Sequence, residues 1–185
     1  MRNILVALLL TLTLAGSASA LEVAGVKLEP SVTVKGHPLK LNGYGIRKKL
    51  FVKVYIGSLY AARPLASAAA ALRDGSDKLI RMNFLHAKVD KEKIIEAFKE
   101  GFANNSPDLA GSAEAMKFLS FFTADFKRGD VVDLALGADG SVSASQNGKQ
   151  LGTLTSVKLA RGVIAIYLGD RPADEGLKKG MLGKE

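Results

Sequence analysis

Cysteine and tryptophan are both absent from the 185 residues, aromatics make up only 6%, and there are two histidines and five prolines. The first absence excludes thiol catalysis, disulfide staples and cysteine metal sites, so stability must rest on packing and hydrogen bonds. His37 and His86 stand outside any Glu-rich ligand spacing, which leaves no metal motif and no positioned base for a serine triad. No basic block is interleaved with aromatics, so nucleic acid is not an expected partner. Gly43-x-Gly45 is followed by Lys48 where a dinucleotide loop needs glycine, and no Walker lysine pattern occurs. Carboxylates do not pair as a glycosidase requires. Asp125, Asp130 and Asp133 surround a loop-to-strand transition and read as solvated. No metal and no cofactor is expected.

What is present begins with an export signal. Met1-Arg2-Asn3 precedes an apolar and hydroxyl stretch from Ile4 to Ala15, then Gly-Ser-Ala-Ser-Ala, the order of a cleavable leader with its A-x-A site. A membrane anchor needs about 20 apolar residues, whereas this core is roughly a dozen, so no stable anchor is expected. Cleavage after Ala20 leaves residues 21–185 as a single domain, with the periplasm as destination. A chain of that length buries about 70% of its unfolded surface around one core. The net charge of +8 is dispersed along the chain. It suits an anionic ligand or an anionic membrane surface as well as plain solvation.

Short alternating pieces from Leu21 to Val34, broken by Gly25 and Pro30, predict an edge hairpin. From Leu39 to Tyr60 the pattern predicts a strand, a glycine bend at Asn42-Gly43-Tyr44-Gly45, and a long strand. That strand carries Leu50, Val52, Val54 and Ile56 on one face and Phe51, Lys53, Tyr55 and Leu59 on the other, more polar one. An alanine-rich helix over Leu65–Leu72 precedes a strand over Leu79–Phe84 with one buried face. Asp90 is the expected cap of a helix striped by Ile94, Phe98 and Phe102. A second helix presents Met116, Leu119 and Phe122. Val131–Leu136, Ser141–Ser145 and Gln150–Leu154 form a meander, and two helices, one capped by Ser156 and one over Asp174–Leu182, close the chain. The fold class is therefore α+β, with an antiparallel sheet, helices gathered on one face, and room for a pocket between them.

Arg47 follows the glycine bend, and Tyr55 lies eight residues on. An arginine fork beside a phenol binds a carboxylate through charge-assisted hydrogen bonds. An exposed strand-end arginine and a core-edge tyrosine are the structural alternative.

Leu41-Asn42-Gly43-Tyr44-Gly45-Ile46-Arg47, Phe51 through Tyr60, and Leu177-Lys178-Lys179-Gly180-Met181-Leu182-Gly183 resemble the chalcone isomerase superfamily, in its bacterial chalcone isomerase-like branch. The resemblance implies an open-faced β-sandwich, a large antiparallel sheet covered on one face by helices with a cleft between. Family members cyclise chalcones, bind fatty acids, or bind no known substrate. By the same likeness the arginine that follows the glycine bend is Arg47, and the catalytic threonine falls at Tyr55, as in the fatty-acid-binding branch. The helix tyrosine falls at Asp90, the asparagine at Ala97, the lysine at Lys93 and a carboxyl-terminal threonine at Leu177. Cyclisation needs a cation and ordered donors around a developing enolate. Only the cation and the helix lysine remain.

The expected function is thus a non-catalytic periplasmic protein binding a small carboxylate amphiphile such as a fatty acid, with Arg47, Tyr55 and Lys93 as ligand-binding residues. An isomerase or intramolecular lyase acting on an enone, and an envelope interaction protein, are the alternatives. Expressed with its leader in a bacterial host, the protein should appear in the periplasmic fraction, with a mass beginning at Leu21. Retention of residues 1–20 would remove the export reading.

Overall fold

The computed structural model describes residues 21–184, so the leader expected over residues 1–20 lies outside the described residues. A hairpin of β1 (Leu21–Val23) and β2 (Val26–Leu28) opens the domain, followed by β3 (Ser31–Val34), β4 (His37–Lys49) and β5 (Val52–Ala61). Then come α1 (Ala68–Arg73), β6 (Lys78–Phe84), the short β7 (Lys88–Val89), α2 (Lys91–Asn105), α3 (Ala113–Leu119) and the short β8 (Phe126–Lys127). The meander β9 (Val131–Leu136), β10 (Ser141–Gln146) and β11 (Lys149–Thr155) precedes α4 (Val157–Leu168) and α5 (Glu175–Met181).

Seven strands form one antiparallel sheet in the order β11-β10-β9-β6-β5-β4-β3. Between β6 and β9 the chain leaves the sheet to make α2 and α3, and the β7–β8 ladder ties the two ends of that excursion together. Serine or aspartate hydroxyl and carboxylate oxygens start four helices: Ser67, Ser112, Ser156 and Asp174 each accept from a backbone N–H in the first turn. Helices cover the face bearing Tyr55, Leu59, Ile80, Met82, Val132 and Leu134, where the main core lies. The opposite face carries a smaller cluster of Val34, Leu39, Tyr60 and Leu79. The segment after β2 crosses that side, since the Tyr60 hydroxyl donates to the Glu29 carbonyl at 3.0 Å.

The expected glycine bend is instead continuous strand. Gly43 and Gly45 lie inside β4, paired with Leu59 and Gly57 of β5, with a register shift between Leu41 and Gly43. Their purpose is close approach. A Cβ on Gly45 would sit 2.7 Å from the Leu177 Cα and 3.0 Å from its carbonyl, and one on Gly43 would meet the Met181 carbonyl at 2.8 Å. Helix α5 therefore lies backbone-to-backbone on β4.

Other expectations are corrected by packing. Leu50 and Phe51 do not belong to β5. They form the turn before it, 88% and 100% exposed. β6 is buried on both faces rather than one, because structure covers the sheet on each side. Of the expected face Met116, Leu119 and Phe122, the last two are buried but Met116 is 58% exposed; Ala115 and Phe118 face inward in its place. Asp90 occupies the cap position of α2 without a side-chain cap bond, its carboxylate being taken by Lys88 and Lys93. Asp130 is buried, not solvated, accepting from the Lys127 amide at 2.9 Å and the Asn147 side chain at 2.9 Å. Burial opposes ionisation there, but these donors outweigh it and hold the carboxyl below its ordinary value. Asp133 is likewise engaged, bidentate with Arg81 at 2.7 and 2.8 Å.

Gly45→Ala should destabilise the fold by about 1–3 kcal/mol, because the added methyl meets backbone that cannot rotate away. Gly75→Ala, with nothing within 4 Å of the new methyl, should stay within about 0.5 kcal/mol of the parent. Urea unfolding of both checks the contrast. Equal midpoints would mean α5 does not press on β4.

Candidate functional site

The β4–β5 ladder places Arg47 directly opposite Tyr55, so eight residues of sequence become one cross-strand pair on the helix-covered face. Tyr55 was expected on the more polar face of its strand. It is 1% exposed in the main core, its ring 5.6 Å from that of Phe84. The sequence alternation misled because β5 is central in the sheet and both of its faces are covered.

Arg47 is half-buried. Its Nη1 donates to the Tyr55 hydroxyl at 3.4 Å, and its guanidinium carbon lies 5.8 Å from the centre of the Tyr55 ring. Among the described residues no carboxylate comes within ion-pair distance of Arg47. A guanidinium has five N–H donors, so most are left for another acceptor. Burial, the largest influence, pulls the Arg47 guanidinium down, but Tyr55, and more weakly Tyr167 and Asp174, outweigh it and hold it above its ordinary value. It is a permanent cation at the bottom of a recess.

Two spaces meet at this side chain. Behind it, Tyr55, Met82, Phe98 and Tyr167 enclose a hole of about 10 Å³, roughly one water in size. In front, a cleft of about 670 Å³, open on one side, runs between the β4–β5 hairpin and α2. That volume lies within the range of small-molecule sites. Its apolar wall comes from Leu50, Val52, Val54, Val89, Ile94 and Ala97, and Arg47, Lys49, His86, Lys88 and Lys93 add positive or polar groups. Ile94 and Ala97 border both spaces. Val54 and Ile94 are thus cleft wall, whereas Phe98 belongs to the core and the small hole behind it.

Lys93 does not join the Arg47–Tyr55 pair. Its side chain is 69% exposed at the edge of the cleft, 3.5 Å from the Asp90 carboxylate. Leu177, where the family resemblance implies a threonine, is fully buried beneath β4 and β5 and contributes nothing to the cleft wall. Ala97 does line it, and a methyl there leaves open the volume that an amide side chain would occupy.

Tyr167 lies near the end of α4. The fold sets it behind Arg47, 1% exposed, with its hydroxyl donating to the Met82 sulfur at 3.3 Å. Burial pushes this phenol well above its ordinary value, so it stays protonated. It was not among the residues expected at the site; the sequence signal for it is a polar-tipped residue on a helix that is otherwise apolar inward.

A family model described as chalcone isomerase-like matches residues 20–183. A curated relative, "Fatty-acid-binding protein 1" of Arabidopsis thaliana, is 25% identical over 179 residues, covering 80% of this chain and 64% of its own length. The chain thus spans less than two thirds of that relative. A solved structure, the crystal structure of an Arabidopsis thaliana fatty-acid binding protein, superposes with a TM-score of 0.69 at 20% identity, covering 89% of this chain and 96% of that one. At that identity the superposition establishes the fold, a large antiparallel sheet with helices on one face.

Proposed function

This chain belongs to the chalcone isomerase-like family, and from that premise we propose that it is a non-catalytic binding protein for a fatty acid, working in the periplasm after loss of its leader. The single observation that carries the reading is Arg47, a half-buried cation without a carboxylate partner among the described residues, at the base of an apolar-walled cleft of about 670 Å³. Removing a charge from water is costly unless an opposite charge meets it, so such a site favours an anionic guest. The ligand carboxylate takes the free N–H donors of Arg47, while Tyr55, behind the guanidinium and outside the cleft wall, holds it in place by accepting from Nη1. The acyl chain lies along Val52, Val54 and Ile94, where burial of each methylene contributes about 0.8 kcal/mol. Lys93 adds positive charge at the mouth rather than a direct contact.

Names of relatives support the same class of ligand, since the curated relative and the solved structure are both called fatty-acid-binding proteins. Flavanone chemistry has less to draw on. The positions where the resemblance implies donors hold Asp90, tied up with lysines at the start of α2, Ala97, which donates nothing, and Leu177, which is core.

Arg47→Ala should weaken fatty-acid affinity roughly tenfold to a hundredfold, the loss of a charged hydrogen-bonded contact. Its unfolding midpoint should stay near the parent's, because no ion pair is broken. Displacement of a fluorescent fatty acid, with native mass spectrometry of the protein as purified, measures both. Arg47 remains cationic throughout the accessible range, so binding should persist at neutral pH and fall as pH drops through the ligand's own carboxylate range, about 4. Unchanged affinity in Arg47→Ala, or turnover of enones by the parent, would sink the proposal.

A further inference from the structure

The turn joining β4 to β5 is built against its own backbone. Lys49 pairs with Val52, leaving Leu50 and Phe51 as a two-residue loop. Leu50 has φ +56°, the left-handed region that glycine or asparagine normally occupies in such hairpins. Turns with these geometries are polar in most proteins, yet here both loop residues are large and apolar. They are also the two most exposed large hydrophobic side chains among the described residues, Leu50 at 88% and Phe51 at 100%, and Val52 beside them is 43% exposed. Where a sequence departs from local turn chemistry and from burial together, the departure points to a function of that segment.

Charge says what covers it. Lys48, Lys49 and Lys53 bracket the loop, and among the described residues none of their side chains makes an ion pair. The protein as a whole carries +8. Two or three apolar side chains at a projecting tip, ringed by free ammonium groups, match the layered chemistry of a bilayer surface, with anionic headgroups outside and acyl chains beneath. A water-soluble protein partner would not need the lysine ring to surround the apolar tip in this way. No helix among the described residues is long and apolar enough to cross a membrane, so the tip reaches only the interfacial layer.

We infer that the Leu50–Phe51 tip is a docking element for anionic lipid bilayers, inserting its two apolar side chains while Lys48, Lys49 and Lys53 engage the headgroups. The position of the tip gives this a use. Lys49, Leu50 and Val52 also line the cleft that ends at Arg47. Docking therefore sets the mouth of the cleft against the depth at which a membrane fatty acid holds its carboxylate, so that carboxylate enters first toward Arg47 and the chain follows. This last step rests on the fatty-acid reading; the docking does not.

The absence of tryptophan supplies a clean probe. Phe51→Trp introduces the only indole in the protein, and its emission reads the tip whatever the amino terminus is doing. With vesicles of phosphatidylcholine and phosphatidylglycerol the emission should shift to the blue and be quenched by lipid-borne quenchers. Phosphatidylcholine vesicles alone should produce little change, and high salt should reverse the shift. In vesicle sedimentation, Phe51→Ser should lower partitioning roughly tenfold or more, and Lys53→Glu should lower it several-fold, relative to the parent with the same amino terminus. Neither residue lines the cleft, so fatty-acid affinity in vesicle-free solution should match the parent for both. An indole emission indifferent to anionic vesicles, or Phe51→Ser partitioning like the parent, overturns the docking. If the parent fails to bind fatty acid in solution while the tip still inserts, the docking stands and the cargo reading falls.

Discussion

The close seat of α5 on β4 is the constraint from which the site follows. Backbone can approach backbone there only because Gly43 and Gly45 present no side chain toward the helix. The helix cap contributes as well: the Asp174 carboxylate caps α5 through the Leu177 amide at 2.8 Å and also accepts from the Lys48 amide at 3.1 Å. One carboxylate thus ties the start of the last helix to the residue after Arg47. With α5 seated over Gly43 and Gly45 on the same face, and β4 paired to β5, the Arg47 side chain projects beside α5, between the sheet and α2. A register slip of one residue would turn it to the other face of the sheet.

Stability and binding capacity are in tension at this point. Two other cations drawn into the interior are matched by carboxylates: Lys78, with its side chain 4% exposed, reaches Asp74 at 2.9 Å, and Arg81 grips Asp133. Arg47 has a phenol where those have a carboxylate. A protein selected for packing alone gains from filling that position with an apolar side chain, because an unmatched, partly buried charge costs free energy; under the proposed function a ligand carboxylate offsets that cost. The hairpin tip shows the same departure from stability, with leucine in a glycine-favoured conformation and phenylalanine in full contact with water. Both departures belong to the β4–β5 hairpin, and Arg47 and Leu50 both line the cleft beside it.

Legibility of the sequence varied with how local the determining physics is. The helix starts at Ser156 and Asp174, the meander from Val131 to Thr155 and the stripe of Ile94, Phe98 and Phe102 are set by caps, turns and periodicity, and each is present. Failures came where a distant element imposed the outcome. Asn42 to Gly45 read as a bend because glycine in isolation signals flexibility, yet α5, more than 130 residues on, makes it a strand. Phe51 read as a strand residue because alternation continues through it, while β4 runs on to Lys49, the hairpin turns at Leu50 and Phe51, and β5 starts only at Val52.

Of the candidate site, the sequence by itself supplied the residue types: one arginine and a tyrosine at a spacing that a two-stranded ladder brings together, a basic balance and no thiol. It also determined the fold class, because strand and helix periods are local properties of the chain. Only the tertiary structure decided that Arg47 lacks an anion, that Tyr167 stands behind it, that Lys93 stays at the rim, and that a cleft opens in front. Those are statements about what is missing from a place, and a place exists only once α2, α4 and α5 have been packed against the sheet.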